Sequence, residues 1–148
     1  MRIEDAMRRS GVGIEADRTV QEAAATMEET GVGALAVTDD GHFVGIVTDR
    51  DLVRRALAKG LPSDARVDGV MTTPVVTIDA DADLEESYRL FGTHPVRRLA
   101  VTRGTQFIGM VTIDDLLVGL SGRLADLARP VTAEVLFGHR DSPVPATT

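Results

Sequence analysis

The chemistry open to this chain sits in two matching pairs of residues. Thr48 and Asp51 lie three apart in Gly45-Ile46-Val47-Thr48-Asp49-Arg50-Asp51-Leu52. Thr112 and Asp115 lie three apart in Gly109-Met110-Val111-Thr112-Ile113-Asp114-Asp115-Leu116. Each stretch reads as the end of a buried strand, a hydroxyl, a carboxylate three residues on, and then an apolar helix face. A strand-to-helix turn presents unpaired backbone N–H groups and the positive end of the helix dipole, which together favour an anion such as phosphate. A carboxylate beside them accepts two hydrogen bonds, matching the adjacent hydroxyls of a ribose. Hydroxyl and carboxylate in one cleft therefore suit a ribonucleotide. The pattern also has a plainer meaning, because Thr-x-x-acid caps helices. One copy alone favours the cap; two copies at equivalent places favour a site.

The elements that hold these pairs are themselves duplicated. The second stretch begins 64 residues after the first, and the same shift relates the chain on either side of it. Ile3, Ala6 and Met7 stand at helical spacing, which predicts a short helix from Ile3 to Arg9. Val67, Val70 and Met71 answer them. Gly11 to Ile14 is a strand candidate, answered by Val76 and Ile78. Thr19-Val20-Gln21-Glu22 is a capping box, and Asp83-Leu84-Glu85-Glu86 carries the same signal. The helix that follows has Val20, Ala23, Ala24 and Met27 on one face in the first copy, with Gly31 as terminator, and Leu84, Ser87, Tyr88 and Phe91 in the second. Ala34 to Val37 and Phe43 to Val47 form a hairpin across Asp39-Asp40-Gly41. Leu99-Ala100-Val101-Thr102 repeats Leu35-Ala36-Val37-Thr38, and Phe107 answers Phe43. Leu52, Val53, Ala56 and Leu57 line a second helix, which Gly60 and Pro62 end before a linker from Leu61 to Arg66.

Each unit thus reads β-α-β-β-α, a mixed α+β fold. One unit would bury little alone, so two are expected to pack through their sheets about a pseudo-two-fold axis and share a core. Clefts at such an internal interface are common small-molecule sites. The boundaries fall at residues 1–62 and 63–124, with 125–148 as a helical extension and loose tail. Leu116, Leu117, Leu120, Leu124 and Leu127 carry a helical stripe to about Ala128, before Pro130 intervenes and Val131 to Phe137 follow. That stripe suits either core or an oligomer contact.

Composition narrows the function. Of the 148 residues 43% are hydrophobic, 26% charged and only 3% aromatic, with no Trp. The core must be aliphatic, and stacking on bases has little support. A net charge of −7 argues against a nucleic-acid partner. With no cysteine there is no disulfide framework or thiol nucleophile. No apolar run approaches the ~20 residues that span a bilayer, and Met1-Arg2-Ile3-Glu4-Asp5 has no apolar signal core. The expected location is the cytoplasm, away from membranes. His42, His94 and His139 lack metal-type partner spacing. Ser10, Ser63, Ser87, Ser121 and Ser142 stand in no nucleophile elbow. No phosphate-cradling Gly-rich loop occurs. Nothing points to an enzyme.

The doubled Gly-apolar-Val-Thr-x-x-Asp stretches, with Val96-Arg97-Arg98-Leu99-Ala100-Val101 and the Met7 and Met71 positions, resemble a tandem pair of cystathionine-β-synthase-type (CBS) domains, a Bateman module. The resemblance covers about residues 2–124. It implies adenine-nucleotide binding in the clefts, with Asp51 and Asp115 on ribose and Thr48 and Thr112 near phosphate. It puts Arg97 and Arg98 at positions that meet phosphate; a solvated strand edge is their other reading. Consecutive strand residues face opposite ways, so one of the two contacts a given phosphate. The first copy has Gly33 and Ala34 there, so the clefts are expected to differ, with Arg97 or Arg98 able to reach either one from near the pseudo-axis. Val12, Ile14, Val76 and Ile78 would line the adenine pocket, or are plain core. Asp114, beside Asp115, reads as a first-turn helix acid.

The resemblance implies AMP, ADP or ATP as ligand, with S-adenosylmethionine or NAD as alternatives, and no cofactor requirement. It further implies a homodimer through the apolar helix faces and a regulated protein partner that the sequence does not identify. The competing reading is a constitutive dimerisation or scaffolding module with one or both clefts vestigial.

Overall fold

The computed structural model describes residues 1–7 and 11–137. Helix α1 (Ile3–Ala6) is followed by strand β1 (Gly13–Glu15), helix α2 (Val20–Thr30), and strands β2 (Ala34–Asp39) and β3 (His42–Thr48). Helix α3 opens at Asp49–Asp51 and widens to π-helical bonding over Leu52–Leu57. A 3-10 turn at Val67–Gly69 leads into β4 (Thr77–Asp79), α4 (Leu84–Thr93), β5 (Arg98–Arg103), β6 (Gln106–Thr112) and α5 (Ile113–Phe137). Two three-stranded sheets result, β1-β2-β3 and β4-β5-β6, each with one parallel and one antiparallel pair. The expected mixed α+β repeats are present.

Local chemistry explains most boundaries. Thr19 accepts from the Glu22 N–H at 3.1 Å while Glu22 accepts from the Thr19 N–H at 3.0 Å, which completes the capping box of α2. Gly31, at φ 69°, ends that helix in the left-handed region. The β2–β3 hairpin turns on Asp40 and Gly41, both at positive φ. The signal at Asp83 does not become a capping box, and the Asp83 side chain makes no cap bond. Glu86 instead takes two hydrogen bonds from the Arg89 guanidinium, which holds its carboxyl below the usual range. The first repeat has Ala25 where the second has Arg89; Glu22 caps with Oε2 while Arg18 pairs with Oε1 at 3.8 Å.

Several expectations need adjustment. Helix α1 stops at Ala6, with Met7 already extended; Arg8 and Arg9, like Ser10, His139, Ser142 and the tail, lie outside the described residues. The buried face of α4 includes Leu90 beside Leu84 and Ser87, while Tyr88 and Phe91 pack at the edge of the core. Helix α5 runs through Pro130. A proline φ near −65° is helical, so the helix continues with one N–H missing rather than stopping.

The two repeats do not share one core. Leu35, Val37 and Val47 face helices in one cluster, and Leu99, Val101 and Val111 do so in another. The opposite sheet faces meet through smaller groups: Ala36, Ile46 and Ala100 are buried yet belong to neither cluster. Strands β3 and β6 pack together, and the Phe43 and Phe107 rings stack at 5.4 Å. The lead-in segments are exchanged. Ile3, fully buried, completes the core of the second repeat, and Val67 and Val70 complete that of the first. Matching backbone bonds tie the segments down: Leu84 N–H to Met1 C=O at 3.1 Å and Val20 N–H to Ala65 C=O at 2.8 Å. Ile3→Ala should therefore cost about 2–5 kcal/mol, as a deleted core side chain does. Urea unfolding would measure it, and a loss below about 1 kcal/mol would contradict the exchanged packing.

Candidate functional site

Both Thr/Asp pairs sit where a third strand hands over to a helix. The Thr48 hydroxyl accepts from the Asp51 N–H at 3.0 Å, and the Asp51 carboxylate accepts from the Thr48 N–H at 3.0 Å. In the second repeat Thr112 Oγ1 accepts from the Asp115 N–H at 3.1 Å, and Asp115 Oδ2 accepts from the Thr112 N–H at 3.0 Å. Each pair is thus a complete capping box. Capping uses one lone pair of the carboxylate and leaves others for a second partner, so it does not exclude a ligand.

The two carboxylates differ in what else they meet. Asp51 is buried, at 9% exposure. It accepts from the Thr72 hydroxyl at 3.2 and 3.3 Å, and Arg55 Nε lies 3.7 Å from Oδ1. Thr72 arrives on the exchanged lead-in, whose backbone bonds Ile46 in both directions at 2.7 and 3.1 Å. Arg55 also donates to the Met71 carbonyl at 2.9 Å. Asp115 is half-buried, and Gly119 stands at the position equivalent to Arg55. It borders a cavity of about 340 Å³, with Asp5, Leu84, Tyr88 and Arg123 among the other walls. That volume is in the range of small-molecule pockets. Neither Thr112 nor Arg98 lines this cavity. Its counterpart in the first repeat, about 320 Å³, has an apolar lining of Leu52, Val53 and Leu57 and does not include Asp51.

Arg98 is the Cα partner of Thr112 across β5 and β6, and Ala100 is the partner of Met110. Residues facing each other in register share a sheet face, so Arg98 and Thr112 lie on the face that carries buried Ala100 toward the other repeat. Arg97 precedes the strand, is exposed, and takes the Ile113 N–H on its carbonyl at 3.1 Å. At the equivalent place in the first repeat, the Asp49 N–H bonds the Gly33 carbonyl at 3.0 Å, and Ala34 faces Thr48. The structure therefore gathers Thr112, Asp115 and Arg98 at one turn, and Thr48, Asp51, Thr72 and Arg55 at the other.

Ile14 and Ile78 are enclosed in the two helix-side cores, 9% and 4% exposed. Their burial is that of core side chains. Val12 and Val76 pack half-buried at the edges of those clusters. Asp114 is exposed in the first turn of α5. His42 and His94 are exposed. Among the described residues no group of three or more His, Cys, Asp or Glu side chains is placed to hold a metal ion, and no helix is long and apolar enough to cross a membrane.

Sequence reasoning missed Thr72 and Arg55. Arg55 is four residues beyond Asp51, a spacing that signals a helix-face ion pair. Nothing local brings in Thr72, which is 21 residues away. Asp51→Ala should remove a cap contact of about 0.5–2 kcal/mol and, in addition, a Thr72 bond of about 0.5–1.5 kcal/mol. Asp115→Ala, whose carboxylate bonds the Thr112 N–H alone among the described residues, should lose the cap only. Paired urea denaturation curves check this, and equal losses would contradict the unequal environments.

Comparison with known proteins accounts for the duplication. The CBS domain pattern matches residues 3–58 and again 67–122. The chain is 42% identical over 99 residues to the uncharacterized protein YlbB of Bacillus subtilis, covering 66% of this chain and 67% of that one. Its fold is similar to that of an uncharacterized conserved protein from Pyrococcus horikoshii, with TM-score 0.70 and 32% identity over 80% of this chain and 90% of the other. The CBS domain protein PAE2072 from Pyrobaculum aerophilum, solved in complex with AMP, has the same fold at TM-score 0.69 and 22% identity, covering 78% and 90% of the two chains. With both repeats matched and the fold shared, the chain belongs to the CBS-domain family as a tandem CBS pair.

Proposed function

We propose that this tandem pair is a regulatory module that binds an adenosine-containing nucleotide at the Asp115 turn and signals its occupancy to a protein partner in the cytoplasm, without catalysis of its own. The observation that carries this reading is the register of Arg98 opposite Thr112, with Asp115 three residues further on. A guanidinium and the N-terminus of a 25-residue helix offer two sources of positive potential for phosphate. Asp115 keeps acceptor capacity for a ribose diol beyond its cap bond. Half-buried Val12, packed at the edge of the first core, is the apolar surface proposed for a base. AMP, ADP and ATP are the first ligands to test, then NAD and S-adenosylmethionine. The fold accommodates AMP in the Pyrobaculum protein. A ligand spanning both repeats shifts their relative arrangement only as far as its affinity differs between arrangements.

Calorimetric titration tests the assignment. A hydrogen bond to a charged group contributes about 1.5–3 kcal/mol, so Asp115→Ala should weaken binding roughly 10- to 150-fold. Arg98→Ala should weaken AMP more than adenosine, because it acts on phosphate. Unchanged affinity in both variants would overturn the site.

A second reading is a constitutive dimerisation or scaffolding module. It is favoured by the completed capping boxes and by the exposed apolar side chains of α5, among them Leu117, Leu124 and Leu127. Ligand at 100 times its dissociation constant should add about 2.7 kcal/mol of stability. No thermal shift with any of the five ligands would favour the scaffold. Both readings include an isologous homodimer through the helix faces. Sedimentation velocity at micromolar concentration should show a species of twice the 15.8 kDa chain mass; a clean monomer would count against it.

A further inference from the structure

The first-repeat cleft is the pseudo-symmetric partner of the proposed nucleotide site, and its carboxylate is already engaged. The Thr72 hydroxyl lies within 3.2 and 3.3 Å of the two Asp51 oxygens. The Thr48 N–H bonds Oδ2 at 3.0 Å, and the Arg55 guanidinium pairs with Oδ1 at 3.7 Å. A ribose diol would place its donors on these same oxygens. Thr72 and Arg55 are themselves exposed and form the outer layer that leaves Asp51 buried. Both are anchored through backbone. Thr72 bonds Ile46 in two directions, and Arg55 donates to the Met71 carbonyl at 2.9 Å.

The surroundings also lack the counterparts of Arg97 and Arg98. Gly33 and Ala34 replace Arg97 and Arg98, and Asp49 stands where the second repeat has Ile113. The Asp49 carboxylate lies close to Gly33, so a Cβ there would sit 3.2 Å from Asp49 Oδ2. A carboxylate at that place repels phosphate. The second repeat carries other residues at the equivalent places of the sequence, Gly119 for Arg55 and Arg8 for Thr72.

We infer that the Asp51 cleft is filled from within. Thr72 and Arg55 take the hydrogen-bonding positions of a ribose, so the chain binds one nucleotide, and the first cleft serves as an internal strut between the repeats. This inference rests on the proposed nucleotide reading of the Asp115 turn.

The test is calorimetric titration of the full chain with AMP, reading stoichiometry as well as affinity. Wild type should take one AMP per chain. Asp51→Ala should leave that affinity within about twofold, because the residue belongs to the filled cleft. In a parallel titration with adenosine, which has no phosphate for Asp49 to repel, wild type should again take one, and Thr72→Ala combined with Arg55→Gln should raise the capacity toward two. Thr72→Ser, which keeps the hydroxyl, should stay at one, and Thr72→Ala alone guards against a double variant that fails to fold. Two AMP per wild-type chain would overturn the inference and leave the nucleotide reading standing. So would a tenfold loss on Asp51→Ala, or a capacity that stays at one in both opened variants. Should wild type take none while an opened variant takes one, the filled cleft would stand and the Asp115 reading would fall. Absence of binding in every protein would overturn both.

Discussion

Each repeat of this chain is completed by the segment that precedes the other. Ile3 fills the second core, and Val67 and Val70 fill the first. Full burial of such a side chain contributes about 1.5–3 kcal/mol, and a unit of ~60 residues has little stability to spare. The exchange therefore makes the two repeats one folding problem. It also determines what meets at the strand-to-helix turns. Thr72 reaches Asp51 because the segment carrying Val67 and Val70 must run along the free edge of β3, where its backbone pairs with Ile46. Gly45 leaves room for that crossing, since a Cβ there would lie 2.7 Å from Met71 Sδ and 2.9 Å from the Thr72 carbonyl. Gly109 does the same beside Met7.

Duplication gives the two turns the same backbone, and substitution gives them different chemistry. Capping boxes at Thr48 and Thr112 fix each carboxylate in position by the same pair of bonds. Beyond that frame, the first carboxylate pairs with Arg55 and accepts from the Thr72 hydroxyl, while in the second repeat Arg98 stands opposite Thr112 and Asp115 is half-buried. A cap and a binding group need not be alternatives. The cap holds the carboxylate still, and a held carboxylate pays less entropy when it meets a ligand.

The sequence carried the repeat in register, because the shift of 64 residues preserves strand alternation and helix faces together. It also showed the Thr19 cap, the Gly41 hairpin and the two Thr/Asp turns, all of which are local. Contacts between distant segments were not legible. Nothing near Asp51 announces Thr72, and nothing in Ile3 says that it belongs to the second core. Local competition also misleads: Arg89 draws Glu86 away from the cap that the Asp83 spacing implies. Pro130 reads as a stop, yet its dihedral is compatible with the helix that continues through it. The apolar strand residues Ile14 and Ile78 fitted pocket and core equally well from sequence, and only burial places them in the cores.

On the proposed reading, the turn of the second repeat, and not that of the first, holds a nucleotide. A crystal structure of the full chain grown with AMP tests it most directly. It should show one AMP per chain, with ribose hydroxyls on the Asp115 carboxylate, phosphate beside Arg98, and the Thr72–Asp51 hydrogen bond intact. AMP seated on Asp51 with Thr72 displaced, or no AMP at saturating concentration, would contradict it.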